Sequence, residues 1–357
     1  MTTLQELAQN PKKKAVALIS GGLDSLLAAK VVMEQGVHVE GINFFTGFCV
    51  EGHTHAIRNM KKEKPKRNNA LWVAEQLGIK LHMIDVIEEY KDVVLNPKHG
   101  YGQHLNPCLD CKIFMVNKAL AWSWMEENQF DFIITGEVIG QRPKSQRRET
   151  MPVIARESGA DNRLLRPLCA KNLPETLPER EGWVDRDKLY DFHGRNRKPQ
   201  MALAEEFGFE DYAQPAGGCC FLTDASYSGK LTDLWNGRGT RDYDIDDIML
   251  LKVGRHLRPR PHFKVIVARE EGENHYLRGY QQQFTMVEAV SHIGPLGAID
   301  GASLSDDDLK LAARIISRYG QGRDAESVIV RITRNGVSTD HEVAPLPSDQ
   351  IPADWHV

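Results

Sequence analysis

The chain has 357 residues, 41% apolar and 26% charged, the profile of an ordinary soluble globular protein and too long for one typical domain. Its formal net charge of -4 speaks against a uniformly basic nucleic-acid binder, and no stretch approaches the roughly 18 apolar residues of a membrane span. The N-terminal basic run precedes only a short apolar strand and lacks the form of a secretion signal, so the expected location is the cytoplasm with no membrane partner.

In chain order, residues 15–19 are a short apolar run, followed by the sequence SGGLDS and a helical pattern that ends at Gly36. Residues 37–45 read as a second strand, 71–77 as a helix stopped by Gly78, and 80–86 as a third strand. A long loop leads to helical periodicity over 109–128 and a β-rich run over 130–135. Strands alternating with helices predict an α/β fold with a doubly wound parallel sheet, in which ligands bind beyond the carboxyl ends of the strands. A helix is expected over 200–207, then a segment rich in Gly, Asp and Arg to about residue 247. From Ile248 the texture changes: IMLLKVG, FKVIVAR and HYLRGY read as short strands, 304–319 as a helix with Ser305 as candidate N-cap, and 328–332 as a strand. The expected division is a tail (1–13), the α/β domain (14–175), an extension (176–247) and a small α+β domain (248–357).

Ser20-Gly21-Gly22-Leu23-Asp24-Ser25 sits between a predicted strand and a predicted helix. Glycines let the backbone approach an anion, helix N-terminal amides point at it, and Ser20 and Ser25 add hydroxyl donors. An aspartate beside phosphate is tolerable if Mg²⁺ bridges the two, which is the role expected of Asp24. No Gly-Lys-Ser/Thr follows, so this is not a Walker loop.

Six cysteines in a chain of this size do not make a disulfide scaffold. Four fall in tight pairs, Cys108 with Cys111 and Cys219 with Cys220, while Cys49 and Cys169 stand alone. Asn106 is a plausible N-cap and Pro107 a plausible first helical residue, which would put Cys108 and Cys111 on one face of a first turn that favours thiolates. Three readings stay open: a [4Fe–4S] cluster on Cys108, Cys111 and Cys220 (with Cys219 as substitute), a persulfide on Cys220 resolved by Cys111, and a four-thiolate zinc site. Adjacent cysteines are awkward for the last. Basic runs at 61–67, 142–148, 195–198 and 252–264 favour a polyanionic partner, with Arg142, Lys144, Arg147, Arg255, Arg258 and Arg260 as candidate RNA contacts.

SGGLDS resembles the PP-loop of ATP pyrophosphatases, and in particular of the tRNA 4-thiouridine synthetases and tRNA 2-thiouridylases. Thr135-Gly136-Glu137-Val138-Ile139-Gly140-Gln141 with Ser145-Gln146 looks like the synthetases' second motif, and Leu165-Arg166-Pro167-Leu168 is similar to a later one. Asn106-Pro107 with Cys111, and Gly218-Cys219-Cys220-Phe221, resemble the two cysteine motifs of the 2-thiouridylases. Cys108 departs from that pattern and is similar instead to iron–sulfur thiolation enzymes. The resemblance spans residues 14–225 and implies ATP-dependent thiolation of tRNA, with ATP held by residues 20–25, Gly136 and Gln141. It implies catalysis by Asp24, Cys111 and Cys220, and ATP, Mg²⁺ and a [4Fe–4S] cluster as cofactors. The implied partners are tRNA and a sulfur donor (sulfide or a cysteine desulfurase), with a homodimer as an option. No THUMP or rhodanese module is visible, and residues from 248 onward look like the RNA-binding domain of the NFACT family.

Overall fold

The computed structural model describes residues 13–50, 67–213 and 219–357. The chain divides into two compact units, one of residues 1–46 and 67–218 and the other of residues 47–66 and 219–357. Residues 1–12 of the expected tail and 61–66 of the basic run lie outside the described residues, as do Gly217 and Gly218.

The first unit is built on a five-stranded, all-parallel sheet of order β3-β2-β1-β4-β5, from β1 (Lys14–Leu18), β2 (His38–Phe45), β3 (Leu81–Asp85), β4 (Phe132–Ile134) and β5 (Leu164–Leu165). This is the predicted doubly wound α/β architecture. The inner strands are apolar because both faces are covered: Ala15, Val16, Phe132, Ile133 and Ile134 are at most 1% exposed. Helix α1 (Leu23–Met33) buries eight of its eleven residues. It is followed by α2 (Asn69–Leu77), α3 (Ile87–Leu95), α4 (Cys108–Ser123), α5 (Thr150–Glu157), α6 (Leu177–Arg180) and α7 (Lys198–Glu206). Asn68 caps α2 through Ala70 N and Leu71 N, and Gly78 ends it with a left-handed φ of 63°.

The chain runs outward from β1 to β3 and then returns to the other side of β1 at β4. The strand order therefore reverses between β1 and β4, whose pairing aligns Ala17 with Ile134. That reversal opens a crevice beyond the carboxyl ends of two neighbouring strands, where doubly wound folds place their ligands.

The second unit carries a six-stranded sheet of order β11-β10-β8-β9-β7-β6 in which each neighbouring pair is antiparallel. Its strands are β6 (Arg255–Arg260), β7 (Phe263–Val267), β8 (Thr285–Ala289), β9 (Leu296–Gly301), β10 (Val328–Arg334) and β11 (Val337–Val343). Its helices are α8 (Ala225–Arg238), α9 (Ile245–Leu250), α10 (Glu271–Arg278) and α11 (Asp306–Arg318). Ser305 caps α11 as expected, in a reciprocal box with Asp308. Ala312, Ala313, Ile315 and Ile316 of α11 share a core with Val287, Ile299, Val330 and Ile332 of the sheet.

Two expected strands are helices. IMLLKVG becomes α9, started by an Asp244–Asp247 capping box that lies upstream of the apolar run. HYLRGY falls at the end of α10, whose strongly one-sided pattern buries Leu277, with Glu273 folded back onto Arg269. The Gly-, Asp- and Arg-rich segment before residue 247 is largely α8. There the burial of Tyr227, Leu231, Leu234 and Trp235 overrides weak helix formers such as Gly229 and Gly237.

Candidate active site

The residues after β1 form a tight turn. Gly21 has a φ of 80°, and a Cβ there would lie 2.8 Å from Asn69 Cβ, so both space and backbone demand glycine. Gly22 is the extended N-cap residue of α1, and no side chain caps the helix. Ser25 Oγ donates to Gly22 O at 2.8 Å and accepts from Ser20 N at 3.3 Å, which closes the turn on itself. The first amides of α1 therefore face the crevice end of β1, as an anion site requires.

Gly136, at the end of β4, touches the same turn. A Cβ on it would lie 2.5 Å from Asp24 C and O and 2.6 Å from Ser25 N. From Gly136 the chain makes a loop closed by Gly140 N donating to Gln146 O at 2.6 Å. Gln141 in this loop donates to Asp24 Oδ2 at 2.6 Å, and Gln200 at the start of α7 donates to Gln141 Oε1 at 3.0 Å. At the far side of the loop, Ser145, wholly buried, accepts from Cys108 Sγ at 3.2 Å. One short segment thus joins the glycine turn to the first predicted cysteine pair.

Asp24 is the electrostatic centre. Its Oδ1 is paired with Arg197 at 3.0 Å. Arg197 is the N-cap residue of α7 and follows a bend pinned by the Ile139–His193 bridge and by Gly194 N donating to Ile139 O at 2.7 Å. Burial raises the Asp24 carboxyl above its ordinary pKa, even though Arg197, Gln141 and Arg142 all pull the other way. Beneath the site, Glu137 and Arg166 form a buried pair at 3.0 Å, with Thr135 Oγ1 also donating to Glu137 Oε2 at 3.1 Å. Burial would raise the Glu137 carboxyl, but the charges of Arg166 and Lys112 and the hydrogen bonds from Arg166 and Thr135 hold it below its ordinary range. Glu137 and Arg166 come from the two matched motifs around β4 and β5, and their pairing gives those motifs a structural reason.

Helix α4 begins at Cys108 with Pro107 as its N-cap residue, one position later than the expected Asn106 cap. Cys108 and Cys111 are one turn apart on it, both partly exposed. Lys144 Nζ donates to Tyr101 O at 2.7 Å and Arg147 Nε to Pro143 O, so both predicted RNA contacts also brace loops around this turn. Cys169 is buried and donates to Glu137 O at 3.2 Å, and burial pushes its thiol up to about 11, so it is an inert packing residue.

In the second unit, Cys219 is exposed and Cys220 is bridged to Cys49 across an isolated antiparallel contact. Lys252, 4% exposed, donates to Gly47 O at 2.5 Å. Burial lowers its ammonium to about 8, against the pull of Cys49. Among the predicted RNA contacts here, Arg255 is exposed with its guanidinium 5.3 Å from the Tyr319 ring. Arg258 is tied up by Asp233 and Arg260 by Asp308. Among the described residues no group of three or more His, Cys, Asp or Glu side chains is disposed to hold a metal ion.

Sequence reasoning missed Arg197, Gln200, Cys49 and Lys252. The only signal for Arg197 and Lys252 was their place in basic runs, and Cys49 carried none.

The glycine turn, the crevice between β1 and β4 and the loop from Gly136 define a PP-loop domain on a HUP-type sheet. Residues 13–161 match the family described as tRNA methyl transferase HUP domain, and residues 254–356 match the NFACT protein RNA binding domain. Residues 13–161 thus resemble the PP-loop domains of the tRNA-thiolation families, and residues 254–356 resemble an NFACT-type RNA-binding domain. The chain is 28% identical over 176 residues to a tRNA-specific 2-thiouridylase MnmA of Mesoplasma florum, an alignment covering 46% of this chain and 47% of that one. It is 32% identical over 140 residues to the protein of the same name from Pseudoalteromonas atlantica, covering 38% and 34%. The chain thus spans less than half the length of these curated relatives. Among solved structures, a 4-thiouridine synthetase–RNA complex with bound ATP is 25% identical, with a TM-score of 0.32, covering 43% of this chain and 36% of that one. No helix among the described residues is long and apolar enough to cross a membrane.

Proposed function

We propose that this protein thiolates tRNA in an ATP-dependent reaction that adenylates a uridine carbonyl oxygen and then exchanges that oxygen for sulfur. The observation that carries the reading is the loop from Gly136, which bonds Asp24 of the glycine turn at Gln141 and Cys108 of α4 at Ser145. A nucleotide turn and a thiol share one rigid support, a juxtaposition that ammonia-using adenylating enzymes have no need of. The relatives named as tRNA 2-thiouridylases and the RNA-binding domain match support tRNA as the substrate.

In this reading the triphosphate rests on the amides of residues 20–25, and Arg197 and Arg142 offset its charge. The target base, extruded from the RNA, presents its carbonyl oxygen in line with the α-phosphorus. Pyrophosphate leaves, and a sulfur nucleophile displaces AMP from the activated carbon. Gln141, held by Gln200 and Asp24, positions the loop that lies between the reacting groups. In the second unit, Arg255 is the candidate RNA contact whose guanidinium is not committed to a carboxylate.

Two cofactor readings meet the side chains differently. Both oxygens of Asp24 are engaged, by Arg197 and Gln141, so Mg²⁺ there would replace one of them, and no step is assigned to it. A [4Fe–4S] cluster on three cysteines would draw Cys108 and Cys111 from α4 in the first unit and Cys220 from the second.

The test is incubation of the full chain with unmodified tRNA transcript, ATP and sulfide, followed by pyrophosphate assay and mass spectrometry of digested nucleosides. Pyrophosphate and a thiouridine in equal amounts are expected. Pyrophosphate with a nitrogen-containing product, or none at all, overturns the reading. Iron and acid-labile sulfide analysis after anaerobic purification decides the cluster.

A further inference from the structure

Cys49 and Cys220 are far apart in sequence but face each other across an antiparallel bridge within the second unit. Phe221 N donates to Phe48 O at 2.9 Å. This bond joins the residue after Cys220 to the residue before Cys49, which makes the cysteines a non-hydrogen-bonded pair. In such pairs the Cα atoms approach to about 4.5 Å and the side chains lie on one face of the ladder. A disulfide spans Cα separations of about 4.4–6.8 Å, so the two sulfurs can be bridged without moving the backbone.

The bridge is firmly seated. Phe48, 1% exposed, packs edge-on against Tyr227 and Tyr243, with ring centroids at 6.1 and 5.4 Å. Lys252 Nζ holds Gly47 O and lies 5.1 Å from the centre of the Phe221 ring, so a cation flanks both strands. Both cysteines remain partly exposed, within reach of a small sulfur donor. Cys169, by contrast, is wholly buried.

We propose that Cys49 and Cys220 are a dithiol–disulfide couple in which Cys49 discharges a persulfide carried by Cys220. A persulfide-class donor places one sulfur on Cys220 Sγ. The Cys49 thiolate attacks Cys220 Sγ, and the bond to the outer sulfur breaks with its electron pair on that sulfur. The Cys49–Cys220 disulfide forms and hydrosulfide leaves with its proton. A dithiol reductant then supplies two electrons by thiol–disulfide exchange and restores both thiols. The partner of Cys220 is thus Cys49 of the same unit rather than the Cys111 expected from sequence. The couple rests on the thiolation reading only for the destination of the hydrosulfide.

The experiment treats the full-length chain with a small-molecule persulfide, quenches with an alkylating agent, and maps cross-linked peptides by mass spectrometry while hydrosulfide is assayed. A Cys49–Cys220 cross-link is expected, with hydrosulfide released in equal amount. In Cys49→Ser, the persulfide should remain on Cys220 and release should slow by at least about tenfold. A cross-link from Cys220 to Cys108, Cys111 or Cys219 overturns the proposal, as does full release from Cys49→Ser. Mapping the unsubstituted chain decides the matter even if the variant folds poorly. A Cys49–Cys220 cross-link without any thiouridine in the tRNA assay would uphold the couple and reject the thiolation reading. Thiouridine formed with the cross-link elsewhere would do the reverse.

Discussion

Burial holds the Asp24 carboxyl above its ordinary pKa even with Arg197, Gln141 and Arg142 around it. An acid of that kind binds more protons folded than unfolded, so its contribution to stability is lost as pH rises through the window above 3.8. Ionised Asp24 therefore costs stability at neutral pH, a cost that its proposed role beside the nucleotide would explain. Asp24→Asn is expected to melt at the same temperature as the parent or higher, while pyrophosphate release falls by about 10²- to 10³-fold. A clearly lower melting temperature would mean that the Arg197 pair outweighs burial. Glu137 has the opposite sign. Its carboxyl is held below the ordinary value of 4.5, so its stabilisation is present above that pH and fades as the solution is acidified. Glu137→Gln leaves Arg166 buried without its counter-charge and should cost about 3–5 kcal/mol in urea unfolding at neutral pH. The variant should also lose less on acidification than the parent, and an unchanged acid transition would refute this assignment. The motifs containing Glu137 and Arg166 are both legible in the sequence, but their pairing is not. A buried ion pair is a fact of two distant segments, and neither Glu137 nor Arg166 carries a local signal of it.

At the level of elements, the first unit was read closely because its signals are local. Apolar runs the length of a strand and the stop at Gly78 act within a few residues, whereas the Asn68 cap and α3, in the stretch that reads as a long loop, escape the pattern. The switch point follows from such elements, since a strand–loop–helix run beginning at Ser20 and a second loop after Ile134 come together once β4 pairs with β1. Gly136 shows how tight that junction is. A methyl group there would sit 2.5 Å from the backbone of Asp24, and backbone cannot swing aside as a side chain can. Gly136→Ala should displace the start of α1 from the end of β4, costing about 1–3 kcal/mol. Because the disturbance falls on the anion site, the loss of ATP affinity by isothermal calorimetry should exceed that of Gly102→Ala, whose methyl would meet only Lys144 and a carbonyl at 3.3–3.4 Å. Equal losses would detach Gly136 from nucleotide binding. In the second unit the same reading failed for α8, α9 and α10. In α8, which holds Gly229 and Gly237, burial of Tyr227, Leu231, Leu234 and Trp235 makes the helix, while α9 starts at a capping box upstream of its apolar run and α10 buries only one side.

For the whole molecule, the least expected feature is that the chain visits the second unit twice. Residues 47–50 follow β2 directly, yet they pack with residues beyond 219. No composition shift marks the crossing; Gly47, with a φ of 79°, is the single local hint, and a lone glycine after a strand is ordinary. The crossing brings Cys49 to Cys220 and gives the buried Lys252 its acceptor at Gly47 O. The boundaries expected from sequence put Phe48 in the α/β domain and residues 219–247 in the extension, whereas the compact units group both with residues 248–357. Phe48 supplies the test. It is almost wholly buried between Tyr227 and Tyr243, so Phe48→Ala should destabilise the second unit by about 3–5 kcal/mol. Hydrogen exchange followed by mass spectrometry should then show faster exchange in peptides from α8 and α9. Peptides from β1, β4 and α1 should keep their protection, although Phe48 lies only three residues beyond β2 in sequence. If instead the strands of the first unit lose protection and α8 does not, the segment belongs with its neighbours in sequence, and Cys49 cannot be the partner of Cys220.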